Sequence, residues 1–186
     1  MRLRRPQSGG MRTLLAAILV VSATAAPLAA APLTADVEVD PTAYALDGNS
    51  LHVGLVHEHL RLDLGVFGLA LPRWAHGADG FAVRFDGFGA KLQWFPGADQ
   101  RGLFVGVDAS LTRTLVERAG RAATDRQVGV GVQLGYRIDL PADFYVTPWI
   151  GVGYQLGSAD VTLDGETYEA MDVTVFPAIH VGYRFR

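Results

Sequence analysis

The chain has no cysteine among its 186 residues and only one lysine, Lys91. Without cysteine there is no disulfide framework, no thiolate metal site and no cysteine nucleophile. Charge is sparse, at 19% of residues against 49% hydrophobic, a balance unusual for a small soluble domain and one that excludes a disordered chain. Long apolar runs are missing too. Beyond the first thirty or so residues nothing approaches the roughly 18 apolar residues that a membrane-crossing helix needs. The longest such segment, residues 64–72, is bounded by Asp63 and Arg73.

The first feature present is a leader. Arg2, Arg4, Arg5 and Arg12 form a basic head, residues 14–21 an apolar stretch, and small residues follow with candidate cleavage points between 25 and 31. Residues 1–31 are therefore expected to be a signal peptide, and residues 32–186 one exported domain. Four of the 16 basic residues lie in the leader, which leaves twelve against 19 acidic ones, a net charge of −7. Nucleic acid is an unsuitable partner for so acidic a chain, because phosphate binding needs a basic surface.

What recurs in the exported part is alternation with a period of two, the mark of strands with unlike faces. In residues 127–139, Val128, Val130, Val132, Leu134, Tyr136 and Ile138 oppose Gln127, Gly129, Gly131, Gln133, Gly135, Arg137 and Asp139. Residues 60–66, 103–112, 146–156 and 172–185 repeat the pattern, and residues 51–57 follow it weakly. Between Phe81 and Phe95 the apolar frame slips from odd to even positions, which predicts a bulge near Gly87. An eighth strand is inferred over residues 35–46, where Pro41 interrupts and a short helical turn competes.

Connection lengths alternate. Residues 57–59, 96–101 and 141–142 are short links; 72–80, 116–125 and 158–171 are longer and polar. Outer-membrane barrels have short periplasmic turns, long outer loops and an even strand number. With that orientation, Trp94, Phe95, Phe104, Tyr136, Phe144, Tyr145, Tyr183 and Phe185 fall near the periplasmic ends, and Trp74, Phe81 and Tyr168 near the outer ends. Aromatic girdles at both interfaces are the expected arrangement.

These features resemble the small eight-stranded outer-membrane β-barrels of Gram-negative bacteria. The resemblance covers the exported chain and is one of pattern, not of a short motif. It implies an all-β fold, a closed antiparallel up-and-down transmembrane barrel of about eight strands, set among the lipids of the cell outer membrane. The final strand looks like the family's C-terminal signal to the barrel-assembly machinery, although it ends Phe185-Arg186 instead of on the aromatic. A soluble periplasmic lipocalin-like barrel, with the apolar face inward, is the alternative. Its outward face should be rich in Lys, Glu and Thr, whereas here the second face is rich in glycine.

If the apolar faces meet lipid, the lumen is expected to hold Arg61, Asp63, Arg84, Asp86, Lys91, Asp108, Arg137, Asp139, His180 and Arg184, with Gln93, Gln133 and Gln155. Buried charges must be paired, so a closed, salt-bridged lumen follows, and a structural or surface-interaction role with it. A small pore or carrier for small solutes is the second reading. An enzyme is not expected. Lipid hydrolysis needs a Ser-His-acid set at the membrane-facing rim, and Ser110 and His180 both point inward. The cluster at residues 57–59, His-Glu-His, offers two imidazoles to a metal but no third ligand. Gly129 to Gly135 precede no helix, so they are not a dinucleotide fingerprint, and no cofactor is expected.

Overall fold

The computed structural model describes residues 32–185; residues 1–31, where a signal peptide is expected, and Arg186 lie outside the described residues. Alternation becomes a wall of strands: β1 (Thr34–Val39), β2 (Asn49–His57), β3 (Leu60–Leu71), β4 (Ala82–Trp94), β5 (Gly102–Arg118), β6 (Arg121–Asp139), β7 (Phe144–Leu156) and β10 (Val173–Phe185). Each pairs antiparallel with its neighbours, and β1 closes the ring against β10. Two short strands, β8 (Val161–Leu163) and β9 (Glu166–Tyr168), form a separate hairpin between β7 and β10. Two short helices, α1 (Pro41–Ala45) and α2 (Arg73–His76), sit in outer connections.

The outward face is apolar for most of its height. Leu64, Val107, Val132, Ile150, Val175 and Ile179 all stand exposed, Val132 at 60%. In water this would be a continuous hydrophobic band far larger than a soluble monomer carries. The band meets lipid, and the inward-apolar alternative is overturned. The girdle is thinner than expected, because Phe95, Phe104 and Tyr145 are buried inside while Trp94, Tyr136, Phe144 and Phe185 remain outside.

Three expectations fail at the outer end. First, β4 pairs with β3 and β5 without interruption from Val83 to Trp94, so there is no bulge at Gly87. Val83 and Phe85 face inward, and Arg84 and Asp86 face outward, where Arg113 bonds Asp86 at 2.7 Å. A strand that rises out of the hydrocarbon meets water and headgroups on its outside, so its polarity inverts while its frame holds. Second, residues 116–125 are not a loop. β5 and β6 stay paired up to Arg118 and Arg121 and are joined by Ala119-Gly120, whose φ values of 48° and 75° make the twisted two-residue turn hairpins prefer. Third, the inferred first strand stops at Val39. The Asp40 carboxylate accepts from the Thr42 N–H at 2.8 Å and Pro41 occupies the first turn, so the chain winds into α1.

Over the mouth, the β8–β9 hairpin lays Leu163 and Tyr168 against Val83 and Val116, with Phe81 and Val161 packed beside them. Arg118 stacks on Phe81 and reaches Glu166 at 3.9 Å.

Candidate functional site: the charged lumen

The lower half of the lumen is built around Arg61 on β3, which is 0% exposed. Its Nε donates to both carboxylate oxygens of Asp36 at 3.0 Å, and its Nη1 to Asp63 at 2.8 Å and Gln93 at 3.0 Å. Nη2 also lies 3.3 Å from Glu38. On the opposite wall Arg137 of β6 reaches Glu38 at 3.1 Å and Asp36 at 3.7 Å. Its guanidinium lies between the rings of Tyr145 and Phe95, at 4.3 and 4.9 Å, a geometry that favours a desolvated planar cation.

Above this pair sit two histidines. His52 bonds Asp63 at 2.9 Å and His180 bonds Glu38 at 3.0 Å, with the two rings 4.8 Å apart. Lys91 completes the layer, 3.6 Å from Asp63 and over the ring of Trp149. Asp36, Glu38 and Asp63 thus face Arg61, Arg137 and Lys91, three charges against three. The balance closes without a charge on either histidine, which is the condition for keeping such a cluster out of water.

The periplasmic floor is a turn. The connection from β4 to β5 folds Phe95 and Gln100 inward, both buried, and Gln100 donates to the carbonyls of Glu58 and Leu60 at 3.1 and 2.9 Å. Beneath it Asp139 pairs with Arg184 at 3.1 Å and also with Arg101.

Of the ten charged residues expected in the lumen, the structure brings Arg61, Asp63, Lys91, Arg137 and His180 into one cluster and places Asp139 with Arg184 at its rim. Asp108 faces Lys91 across the β4–β5 ladder without an ion pair within 4.0 Å. Arg84 and Asp86 are outside the barrel. Sequence reasoning missed Asp36, Glu38, His52 and Gln100. The first two stand at alternate positions of a segment whose apolar face, Val37 and Val39, is short. His52 alternates with Leu51 and Val53, so a strict period-two reading of β2 would have placed it inward. Gln100 carried no such signal, since it acts from a turn.

The chemistry available here is electrostatic. Ser110 on β5 and His180 on β10 are separated by β6 and β7, and His180 is held by Glu38. Residues 57–59 form the β2–β3 turn, where His59 bonds the Phe95 carbonyl at 2.9 Å. Among the described residues no group of three ligating side chains is placed for a metal ion.

The ring and its lipid-facing band find counterparts among solved structures. Neisserial surface protein A is 15% identical, with a TM-score of 0.54 over 82% of this chain and 96% of that one. The fold is that of an outer-membrane β-barrel. The N-terminal β-barrel domain of Pseudomonas aeruginosa OprF, at 12% identity, has a TM-score of 0.46 over 82% of this chain and 97% of that one. A major outer membrane protein from Thermus thermophilus, at 14% identity, has a TM-score of 0.48 over 83% of this chain and 100% of that one. No family model and no curated protein matches the sequence. Within an outer-membrane β-barrel, the buried cluster lies inside the membrane span, and the two hairpins stand on the outer side.

Proposed function

We propose that this outer-membrane barrel is a structural and surface-interacting protein with a closed lumen, not a pore and not an enzyme. The observation that carries the reading is the Arg61 cluster. An eight-stranded barrel encloses space for its own side chains or at most one small ligand, not for an open channel. Here Arg61, Asp36 and Asp63 are fully buried across that space, with Gln100 and Phe95 closing it from below. An ion crossing the lumen would have to break several charge-assisted bonds at once. The surface role rests on the outer hairpins. β5–β6 rises beyond the apolar band, and β8–β9 is pinned to it by Tyr168, Leu163 and the Arg118 contacts. Such a platform presents a fixed surface. Assembly through β10 by the barrel-assembly machinery belongs to the same reading.

The test is a planar-bilayer recording of purified, heat-modifiable protein. The closed reading expects no steady single-channel events from the wild type. Robust conductance from the wild type would overturn it and favour the small pore.

A further inference from the structure

The wall is incomplete at one place. β1 leaves the ring at Val39, opposite Val181, so the part of β10 from Val173 to His180 has no strand on that side. In an antiparallel ladder alternate residues turn their N–H and C=O toward one neighbour. Asp172 and Arg184 bond toward the β7 side, to Gln155 at 2.7 Å and Asp143 at 3.0 Å, so the odd-numbered Val175, Pro177 and Ile179 turn theirs toward the gap. One of the three is a proline, which has no N–H to offer, the position proline takes at a sheet edge.

α1 occupies the gap and is fastened on one side only. The Ser50 hydroxyl accepts from the Asp40 N–H at 3.0 Å, and the Tyr44 hydroxyl donates to the Ser50 carbonyl at 2.7 Å. The Leu46 carbonyl accepts from Ala70 at 2.8 Å, and Arg84 donates to the Asp47 carbonyl at 2.8 Å. Gly48 lies so close to β3 that a Cβ there would fall 1.8 Å from the Gly68 carbonyl oxygen. All these ties run to β2, β3 and β4. Among the described residues no hydrogen bond joins α1 to β10. What meets there is apolar or small: Thr42 borders one shallow cavity with Pro177, Ala178 and Ile179.

Behind the seam the lumen changes character. Above the charged cluster the inner wall thins at Gly89 and Gly153, whereas their partners are covered, Gly65 by His52 and Gly131 by the Asp108 carboxylate. Phe67, Phe85 and Phe176 border this space with Trp149. Phe85 lies 6.1 Å from Phe67 and 6.3 Å from Phe176, which lies 6.0 Å from Trp149. All four point inward and stay partly exposed. Outside the seam Val175, Pro177 and Ile179 are exposed within the lipid-facing band, below the polar row of Asp86 and Arg113. The neighbour on that side is the hydrocarbon of the outer leaflet.

We infer that the seam between α1 and β10 is a lateral entry, and that the aromatic chamber behind it binds a single acyl chain from a membrane lipid. α1 swings on its β2–β3 attachments. The chain lies along Pro177 and Ala178 with its end against Phe176 and Trp149, and the charged cluster stops it from passing further. Nothing in this requires the lumen to conduct, so a conductance result leaves it standing.

Trp149 is the reporter. In the Trp74→Phe, Trp94→Phe protein it is the sole tryptophan, and the protein is reconstituted in phosphatidylcholine bilayers with or without brominated acyl chains. Entry of a chain gives loss of Trp149 emission in the brominated bilayers, and the loss is relieved by Ala178→Phe, which fills the inner side of the seam. Ala178→Leu serves if the larger residue prevents a heat-modifiable barrel. Equal quenching in the filled variant means bromine acts through the wall, and the inference falls. Absence of quenching also sinks it, provided that a variant with Trp94 alone, on the lipid face, is quenched in the same bilayers.

Discussion

The two halves of the lumen share the same strands and the same glycine-rich inner face, yet the lower half is packed tightly and the upper more loosely. In the lower half each glycine is paired with a large residue that folds over it. A Cβ at Gly182 would lie 2.3 Å from the Tyr145 ring, one at Gly135 2.3 Å from Phe104, and one at Gly65 2.0 Å from His52. In the upper half the covering groups are smaller or polar and approach less closely: a Cβ at Gly129 would lie 2.5 Å from the Ser110 hydroxyl, one at Gly131 2.8 Å from the Asp108 carboxylate, and one at Gly153 3.2 Å from the Thr174 hydroxyl. The difference teaches that glycine in a narrow barrel carries no fixed meaning. Its cross-strand partner decides whether it makes room for a side chain or leaves room.

The comparison breaks most violently at Arg61. Arg61→Ala leaves Asp36, Glu38 and Asp63 buried with one guanidinium and Lys91 to share. Removing one partner of a buried charge cluster costs about 3–5 kcal/mol, so the urea midpoint for unfolding from lipid vesicles should fall steeply. A midpoint unchanged from wild type would mean that water or neighbouring groups already solvate those carboxylates. Next in size is a pair of glycine substitutions. Gly182→Ala drives Tyr145 away from Arg137 and Arg184, on which it stacks at 4.3 and 5.3 Å, at a cost of about 1–3 kcal/mol. Gly153→Ala comes nearest the Thr174 hydroxyl, at 3.2 Å, with the Val130 carbonyl at an ordinary 3.5 Å, and should stay within about 0.5 kcal/mol of wild type once that hydroxyl rotates. Equal penalties at the two sites, read from the same urea titration, would erase the distinction between the halves.

How much of this was legible depended on which medium each face meets. Alternation in 127–139 and 146–156 reads directly because lipid outside and small or polar groups inside hold over the whole membrane span. The register of β4 misled because it crosses from hydrocarbon into water within its own length, so Arg84 and Asp86 exchange faces relative to a lipid-only rule. α1 was half visible, as Pro41 breaks the strand, but the capping role of Asp40 only matters once β10 is seen to continue past it. Of the charged cluster, Arg61, Asp63, Lys91, Arg137 and His180 followed from parity alone. Asp36 and Glu38 were hidden by the shortness of β1, and Gln100 and Phe95 by their entry from a turn.

A smaller effect is expected at the periplasmic rim, beneath the Gln100 turn. Arg184 and Asp139 are 17% and 21% exposed, so their 3.1 Å pair is partly solvated. Arg184→Ala should cost at most about 1 kcal/mol, several times less than Arg61→Ala in the same titration. A loss as large as that of Arg61 would extend the filled half down to the rim.

The smallest expected change separates the barrel from the platform above it. His76 of α2 packs edge-on to Tyr168, with ring centroids 6.2 Å apart, and its Nδ1 accepts from the Ala78 N–H at 3.2 Å. Burial lowers its pKa below the ordinary value, and neighbouring Arg73 lowers it further. The folded contact therefore holds the neutral ring, while the released loop binds the extra proton. Stability from this contact is full above the ordinary histidine pKa of about 6.5 and is lost as the pH falls through and below it. Limited proteolysis within residues 158–171 should accelerate as the pH is lowered across that window, with the heat-dependent gel mobility of the barrel unchanged. His76→Phe keeps a ring against Tyr168 but has no proton to gain, so the ratio of its cleavage rate to that of the wild type should fall with pH. A ratio that stays flat would place the proton elsewhere in the loops, and His76 would be packing alone.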